Sequence, residues 1–167
     1  MQRATLRSPV ALVLVGFGLP TGPTLAQNHA LAPCDESALP QFEQFAVARE
    51  DVHAPQLDLD SHPIGRRFVT RLREAVRTEL PDLAGHYLVV DWSCGTACMM
   101  FAIVDLWSGQ IWHDEGLILT RGIATRSDSR LVILNPGPAW RAEQTPTRYY
   151  LWQSSALEAR CEEPDRS

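Results

Sequence analysis

The chain has 167 residues and a formal net charge of −5, and arginine supplies every fixed side-chain cation because lysine is absent. This acidic balance argues against a nucleic-acid partner, since phosphate binding requires a surplus of cations. Beyond the first 26 residues, no segment of the sequence is long and apolar enough to cross a membrane. The sequence therefore predicts one domain of ordinary size without a membrane span.

The N-terminal segment has the organisation of a secretory signal peptide. Two arginines precede an apolar run at residues 10–19, and small residues lead up to Ala26. We predict a signal peptide over residues 1–26 with cleavage near Ala26, and a single disulfide-stabilised domain over residues 27–167 that is periplasmic or secreted. The alternative, a lipoprotein acylated at Cys34, is disfavoured by the proline directly before that cysteine.

Four cysteines form an even set in a chain predicted to be exported, so two disulfides are expected. Of the three possible connectivities we favour Cys94 with Cys98 and Cys34 with Cys161, because the second bridge would join the two ends of the mature domain. In the loop-closure model that long bridge contributes about 4 to 5 kcal/mol, whereas the short one acts as a local clamp. Zinc is the rival interpretation of C-x-x-x-C, but no second ligand pair stands at finger-like spacing.

The first half of the predicted domain contains one clear helix. Residues 27–53 are expected to wrap the domain irregularly, with a short extended segment at 45–47. Apolar residues then recur at helical spacing over residues 64–80, with Ser61 expected to cap the helix and Pro81 to end it. The arginine-rich outer face of this helix is interpreted as solvated, and the alternative is a docking site for an acidic partner.

After Pro81 the sequence changes to short apolar segments separated by polar turns, which is typical of β-strands. The predicted strands are 86–92, 98–106, 110–112, 116–120, 122–125, 130–135, 148–152 and 156–161. Sequential strands joined by short turns favour an antiparallel meander. We therefore predict an α+β fold, with an antiparallel β-meander sheet, one main helix packed on one face and two disulfides.

The two close cysteines also predict the register of the first hairpin. If Cys94 faces Cys98, counting outwards pairs Trp92 with Met100 and Tyr87 with Asp105. The even-numbered positions are then almost wholly apolar and form the face beneath the helix. The opposite face carries Tyr87, Val89, Asp91, Phe101, Ile103 and Asp105.

No motif of a known catalytic centre is present, whether a nucleophile elbow, a zinc-peptidase motif, a phosphate loop or a dinucleotide fingerprint. Accordingly we assign no catalytic residue, no metal site and no cofactor. The candidate binding residues are instead those that bring polar groups to one face of the first hairpin, namely Gly85, His86, Tyr87, Asp91 and Asp105. The rival interpretation is an ordinary sheet rim in which Tyr87 donates a hydrogen bond to Asp105.

Three further features are each open to a functional and a structural interpretation. His113-Asp114-Glu115 is predicted to be an exposed turn, because adjacent residues of an extended chain point to opposite faces. Trp107 and Trp140 lie in turn-like segments and, if exposed, would be contact residues. The close cysteines are interpreted as a structural bridge, since thiol oxidoreductases carry C-x-x-C at a helix start and this is C-x-x-x-C between strands.

Several short motifs suggest a resemblance to a group of proteins. They are A-G-H-Y at residues 84–87, W-x-C-G-T-x-C at 92–98, Asp105 with Gly109, S-D-S-R-L at 127–131 and Y-Y-x-W at 149–152. Together they resemble a group of small exported bacterial proteins of uncharacterised function, over roughly residues 60–155. Ser93 stands where the group's G-C-G-T-x-C core has its first glycine. The resemblance implies a fold but no activity.

The A-G-H-Y segment is also similar to the S-G-x-Y motif that one class of periplasmic lysozyme inhibitors inserts into the cleft of the enzyme, with Ala84 in place of the serine. The leading hypothesis is an exported, non-catalytic binding or structural domain with a protein partner in the cell envelope. One alternative is a lysozyme-inhibitor-like protein acting through residues 85–87. The other is a small hydrolase or thiol-redox enzyme centred on His86, Tyr87, Asp91 and Asp105.

Overall fold

The structure is a computed structural model that describes residues 31–53, 55–137 and 145–163. The predicted signal peptide and Trp140 lie outside these residues. Across the described ranges, two antiparallel sheets are accompanied by two short helices and one 3-10 helix, Phe42–Phe45. No helix in this part of the chain is long and apolar enough to cross a membrane.

The predicted helix is divided into α1 (Pro63–Arg67) and α2 (Val69–Thr78). Phe68 separates them, with φ −118° and ψ 30°, and its ring packs 4.5 Å from that of Trp92. The helical segment starts at His62, whose Nδ1 accepts the N–H of Ile64, and not at the predicted cap Ser61. The Ser61 hydroxyl instead accepts the N–H of Ile111 at 2.9 Å, and so ties the segment before the helix to a strand.

The first sheet contains strands β1, β2 and β3 in that order, over Tyr87–Gly95, Cys98–Asp105 and Ile111–Trp112. The predicted register is confirmed from Tyr87 opposite Asp105 to Ser93 opposite Met99. At the tip the register shifts, so that Gly95 and not Cys94 lies opposite Cys98. The shift follows a positive φ of 143° at Gly95, a conformation that side chains other than glycine rarely adopt.

The second sheet contains strands β4 to β7 in chain order, over Ile123–Ala124, Leu131–Leu134, Arg148–Gln153 and Ala156–Glu162. Two predicted extended segments are not strands. Leu119 makes only an isolated bridge to Met99. Phe45 ends the 3-10 helix, and the next residue, Ala46, bridges to Ser129.

The helices cover the first sheet on the predicted face. Leu72 and Val76 of α2 pack against Leu88, Val90 and Val104 of the sheet in one buried cluster. The arginines on the outer side of the helices are exposed, as expected for a solvated face. Burial of each aliphatic side chain in the cluster between α2 and the first sheet stabilises the fold by about 1.5 to 3 kcal/mol.

The prediction of a single sheet is wrong, because the strands form two sheets and the second covers the opposite face of the first. Val89, Phe101 and Ile103 of the first sheet share a buried cluster with Val132 and Trp152 of the second. These residues make the centre of that face apolar, so it needs a cover, and a helix is already on the other side. The result is a helix layer, two sheets and an outer N-terminal segment.

Both predicted disulfides are confirmed. Cys34–Cys161 holds the N-terminal segment against β7, and Cys94–Cys98 closes the tip of the first hairpin. All four cysteines are therefore paired in bridges. Two disulfides are typical of a protein that folds in an oxidising compartment outside the cytoplasm.

Candidate functional site

Gly85 occupies a narrow crossing point between three segments. Its φ is +89°, its N–H donates to the carbonyl of Ser127 at 2.7 Å, and its carbonyl accepts the N–H of Glu50 at 3.3 Å. A Cβ here would lie 2.8 Å from the carbonyl oxygen of Ala48. The glycine is required by this close approach, and the segment it starts is buried.

His86 follows directly and is enclosed on all sides. Its Nδ1 lies 3.3 Å from Oε2 of Glu50, and its Nε2 lies 3.9 Å from Oδ1 of Asp105. Trp107 stacks on the ring at 3.7 Å between centroids, and Tyr87 lies at 4.2 Å. The Glu50 contact is close but lacks hydrogen-bond geometry, since Nδ1 has no hydrogen-bond partner among the described residues. The ring of His86 therefore packs between the loop after β2 and the N-terminal segment.

Asp105 organises the turn that follows β2. Its Oδ1 accepts the backbone N–H groups of Trp107 at 2.8 Å and Ser108 at 3.2 Å, and its carbonyl accepts the N–H of Gly109. The carboxylate thus stabilises the turn, in place of the predicted partnership with Tyr87. The Tyr87 ring instead packs against that of Trp152.

Four of the five candidate residues lie together, and Asp91 does not. Gly85, His86, Tyr87 and Asp105 meet where the hairpin begins and ends. Asp91 lies four residues further along β1, about 13 Å at the usual strand rise. Its backbone carbonyl accepts Nε of Arg71, which links β1 to the helix layer.

A cleft opens beside this cluster, at the edge where the two sheets meet. We call it the edge cleft; its volume is about 360 Å³. It is lined by Asp58, Ser61, Tyr87, Ile103, Asp105, Gln110, Ile111, Trp112, Trp152 and Ser155. A volume near the lower end of the range for small-molecule sites, with mixed aromatic and polar walls, is suited to a small ligand.

Three aromatic rings shape the edge cleft. Trp152 is only 2 % exposed, whereas Tyr87 and Trp112 are partly exposed. The rings of Tyr87 and Trp112 lie 5.2 and 5.5 Å from that of Trp152, inclined to it by 74° and 75°. These edge-to-face contacts hold the aromatic walls in fixed orientations, so the cleft is preformed.

The polar lining of the edge cleft is acidic. Asp58 is exposed, the side chain of Asp105 is 20 % exposed, and the lining contains no arginine. A second cavity of about 370 Å³ adjoins it across Tyr87 and Trp152 and is lined by Arg130. The two cavities therefore differ in charge.

One carboxyl near the start of β1 has a strongly shifted pKa. Burial raises the pKa of Asp82 from 3.8 to about 6, and a hydrogen bond from the N–H of Val89 partly offsets this. Asp82 does not line the edge cleft. Its backbone N–H donates to the carbonyl of Tyr87, so Asp82 helps to hold the start of β1 in place behind the cleft.

Two expectations about neighbouring residues have different outcomes. His113 is buried, with Nδ1 2.6 Å from the carbonyl oxygen of Phe101, so the predicted exposed turn is wrong for this residue. Asp114 and Glu115 are exposed as predicted. Trp107 is 62 % exposed, which meets the condition stated for a contact residue but tests no contact role.

Sequence reasoning missed three main residues of the site. Trp112, Trp152 and Asp58 line the edge cleft but are not among the candidate residues that the sequence predicts. Asp58 reaches the cleft because its N–H donates to the carbonyl of Gly109, 51 positions later in the chain. The high tryptophan content was the available signal, but it does not show which rings share a cleft.

No protein-family model, curated protein or solved structure matches this chain. The resemblance to small exported proteins therefore stays a prediction.

Proposed function

We propose that the protein is an exported, non-catalytic binding domain whose ligand occupies the edge cleft. The observation that carries the proposal is a preformed cleft in which Tyr87, Trp112 and Trp152 stand beside the carboxylates of Asp58 and Asp105. Binding sites commonly combine an apolar wall with a few convergent polar groups in this way.

The contacts of His86, which lies beside the cleft, favour a binding function over catalysis. His86 is the nearest candidate base, but both ring nitrogens face carboxylates, and Trp107 and Tyr87 pack against the ring. A general base has to reach the proton that it removes, directly or through one water. The contacts of His86 fit a structural role better than that task.

Burial also weighs against the lysozyme-inhibitor alternative. An inhibitory loop has to project from the surface, but Gly85 and His86 are buried and Gly85 is bonded to Ser127 and Glu50. The segment would have to leave the fold in order to enter the cleft of an enzyme. The edge cleft requires no such rearrangement.

The proposal is tested by screening a chemically varied set of small molecules with two-dimensional NMR. Gln110 lines the edge cleft and is exposed, so Gln110→Trp should fill the opening without disturbing the core. Thr96→Trp is the matched control, since Thr96 is exposed at the opposite tip of the hairpin. We expect at least one compound to bind the wild type and Thr96→Trp, and to lose about tenfold or more in affinity for Gln110→Trp.

Equal binding to Gln110→Trp and the wild type would place the ligand elsewhere and overturn the proposal. So would a screen in which no compound of any charge class binds the wild type. A compound that is turned over during the titration would support the enzyme alternative instead.

A further inference from the structure

The edge cleft has a chemical preference that can be argued from its walls. We infer that its ligand is a small organic cation of the quaternary ammonium class, an inference that rests on the binding function proposed above. Three properties of the cleft lead to this class: its charge, its aromatic surface and its limited number of carboxylates.

Charge is the first property. Asp58 and Asp105 are the only charged residues of the lining, and both are acidic. Asp105 is largely buried, where the attraction between charges is screened less than at an exposed surface. A cation is therefore favoured over a neutral or anionic ligand of the same shape. Arg130 of the adjoining cavity would repel the cation and keep it at the Asp105 end.

The aromatic surface is the second property. A tetraalkylammonium group binds the faces of Trp and Tyr rings through their quadrupole, and several rings around one cation are the usual arrangement in such sites. Tyr87 and Trp112 are the partly exposed rings of the cleft, and Trp152, which is 2 % exposed, packs edge-to-face against both and supports them. Tyr87 and Trp112 therefore supply the aromatic surface that a cation would contact beside Asp58 and Asp105, which line the same cleft.

The limited number of carboxylates is the third property and argues against a metal ion. Calcium takes six to eight oxygen ligands, and magnesium requires near-octahedral coordination. The Oδ1 of Asp105 already accepts two backbone N–H groups, and Oδ1 of Asp58 accepts that of Asp60. A weakly hydrated organic cation needs no ordered oxygen shell, so these partly occupied carboxylates suffice for it.

The experiment compares choline and tetramethylammonium with 3,3-dimethylbutan-1-ol, the neutral analogue of choline with the same shape. Binding is followed by NMR titration up to about 50 mM, because weak ligands with millimolar Kd remain detectable there. We expect both cations to shift the resonances of Tyr87 and Trp112, the two partly exposed rings of the cleft. The neutral alcohol should bind at least about fivefold more weakly, since only the cationic ligands gain the cation–π attraction.

Charge substitutions on the cleft wall test the electrostatic part. Gln110→Glu should tighten choline binding about threefold, and Gln110→Arg should weaken it about threefold to tenfold. Thr96→Glu and Thr96→Arg change the net charge equally at the far tip and should leave the affinity within about twofold. Asp105→Asn, which keeps an acceptor for the turn, should weaken binding, whereas Asp91→Asn on the same sheet face should not.

The outcomes separate the two proposals. If the neutral alcohol binds as tightly as choline, or if the Gln110 and Thr96 pairs respond alike, the cation inference is wrong. If neither cation binds but a neutral or anionic compound does, with binding blocked by Gln110→Trp, the cation inference fails and the binding function stands. If nothing binds in the edge cleft, both proposals fail.

Discussion

At the scale of single residues, two glycines with positive φ differ in what surrounds them. Gly109 has φ +78°, and a Cβ there would lie 2.2 Å from the carbonyl oxygen of Gln56. Gly122 has φ +97° with nothing within 4 Å of the corresponding position. Gly109 is needed both for its backbone conformation and because no side chain fits beside Gln56. Gly122 is needed for its backbone conformation alone.

We therefore expect Gly109→Ala to destabilise the protein more than Gly122→Ala. The left-handed conformation costs about 1 to 2 kcal/mol in each variant, and the clash with Gln56 adds roughly 1 to 3 kcal/mol at Gly109 alone. Urea unfolding of both variants measures the difference. If both variants lost the same free energy of unfolding, residues 56–58 would be able to move away from the added methyl group at no cost. The position of Asp58 at the cleft would then not depend on its close contact with Gly109.

Asp82 makes stability depend on pH near neutrality. Because burial raises its pKa from 3.8 to about 6, the protonated carboxyl favours the folded state fully below pH 3.8, and this contribution is lost as the pH rises through 6. A shift of this size corresponds to on the order of 2 to 3 kcal/mol. Asp82→Asn keeps an acceptor for the N–H of Val89 and removes the titration.

We expect the stability of Asp82→Asn relative to the wild type to increase between pH 4 and pH 6.5 and then to level off. Urea unfolding of both proteins at half-unit pH steps measures this difference. The range starts at pH 4 because Asp128, whose pKa is lowered by a hydrogen bond from Arg126, titrates mainly below it. A constant difference across the range would show that Asp82 is solvated in the folded protein.

At the scale of elements, the two disulfides have different tasks. The Cys94–Cys98 bridge spans a separation of four residues at an exposed hairpin tip, whereas Cys34–Cys161 spans 127 and has one half buried. Loop-closure entropy grows with loop length, so the long bridge restricts the unfolded chain far more. It also holds the outer segment against the second sheet, where Phe42 and Phe45 pack.

We expect the paired replacement of Cys34 and Cys161 by alanine to destabilise the protein by about 4 to 5 kcal/mol, against about 2 kcal/mol for Cys94 and Cys98. Chemical denaturation of the two double variants measures this. Under mild reduction, mass mapping should detect Cys94 and Cys98 free first, because their bridge is exposed. Prior release of Cys34 and Cys161 would contradict the packing of the outer segment.

The break at Phe68 is the other lesson at this scale. Apolar spacing alone predicts one continuous helix, and the turn at Phe68 has no signal in it. The Phe68 ring packs on Trp92 of β1, and this tertiary contact accompanies the departure from helical dihedral angles. The predicted end of the helix at Pro81 lies three residues beyond the observed end of α2 at Thr78.

At the scale of the whole molecule, β2 is the central strand of the first sheet and is enclosed by both neighbouring layers. It lies between β1 and β3, with the helices on one face and the second sheet on the other. Residues 101–104 are each no more than 1 % exposed. In contrast, β7 is an edge strand with mostly exposed residues.

We expect the amides of residues 101–104 to exchange with solvent only on global unfolding, and those of β7 to exchange through smaller openings. Native-state hydrogen exchange by NMR measures both groups. Similar protection in β2 and β7 would contradict a layered core centred on the first sheet. It would then place the long disulfide bridge, and not sheet packing, as the main source of order in β7.

The sequence by itself indicated the short Cys94–Cys98 bridge, the hairpin register as far as Ser93 opposite Met99, and a helical segment beneath the even-numbered face of the hairpin. Each of these follows from local spacing or from the alternation of side chains along a strand. The Cys34–Cys161 bridge is favoured among three connectivities only because it joins the two ends of the domain. Only the tertiary structure decided that a second sheet covers Val89, Phe101 and Ile103, and that Trp112 and Trp152 join Asp58 at one cleft. Contacts between residues far apart in the chain depend on how layers pack, and no local pattern records that packing.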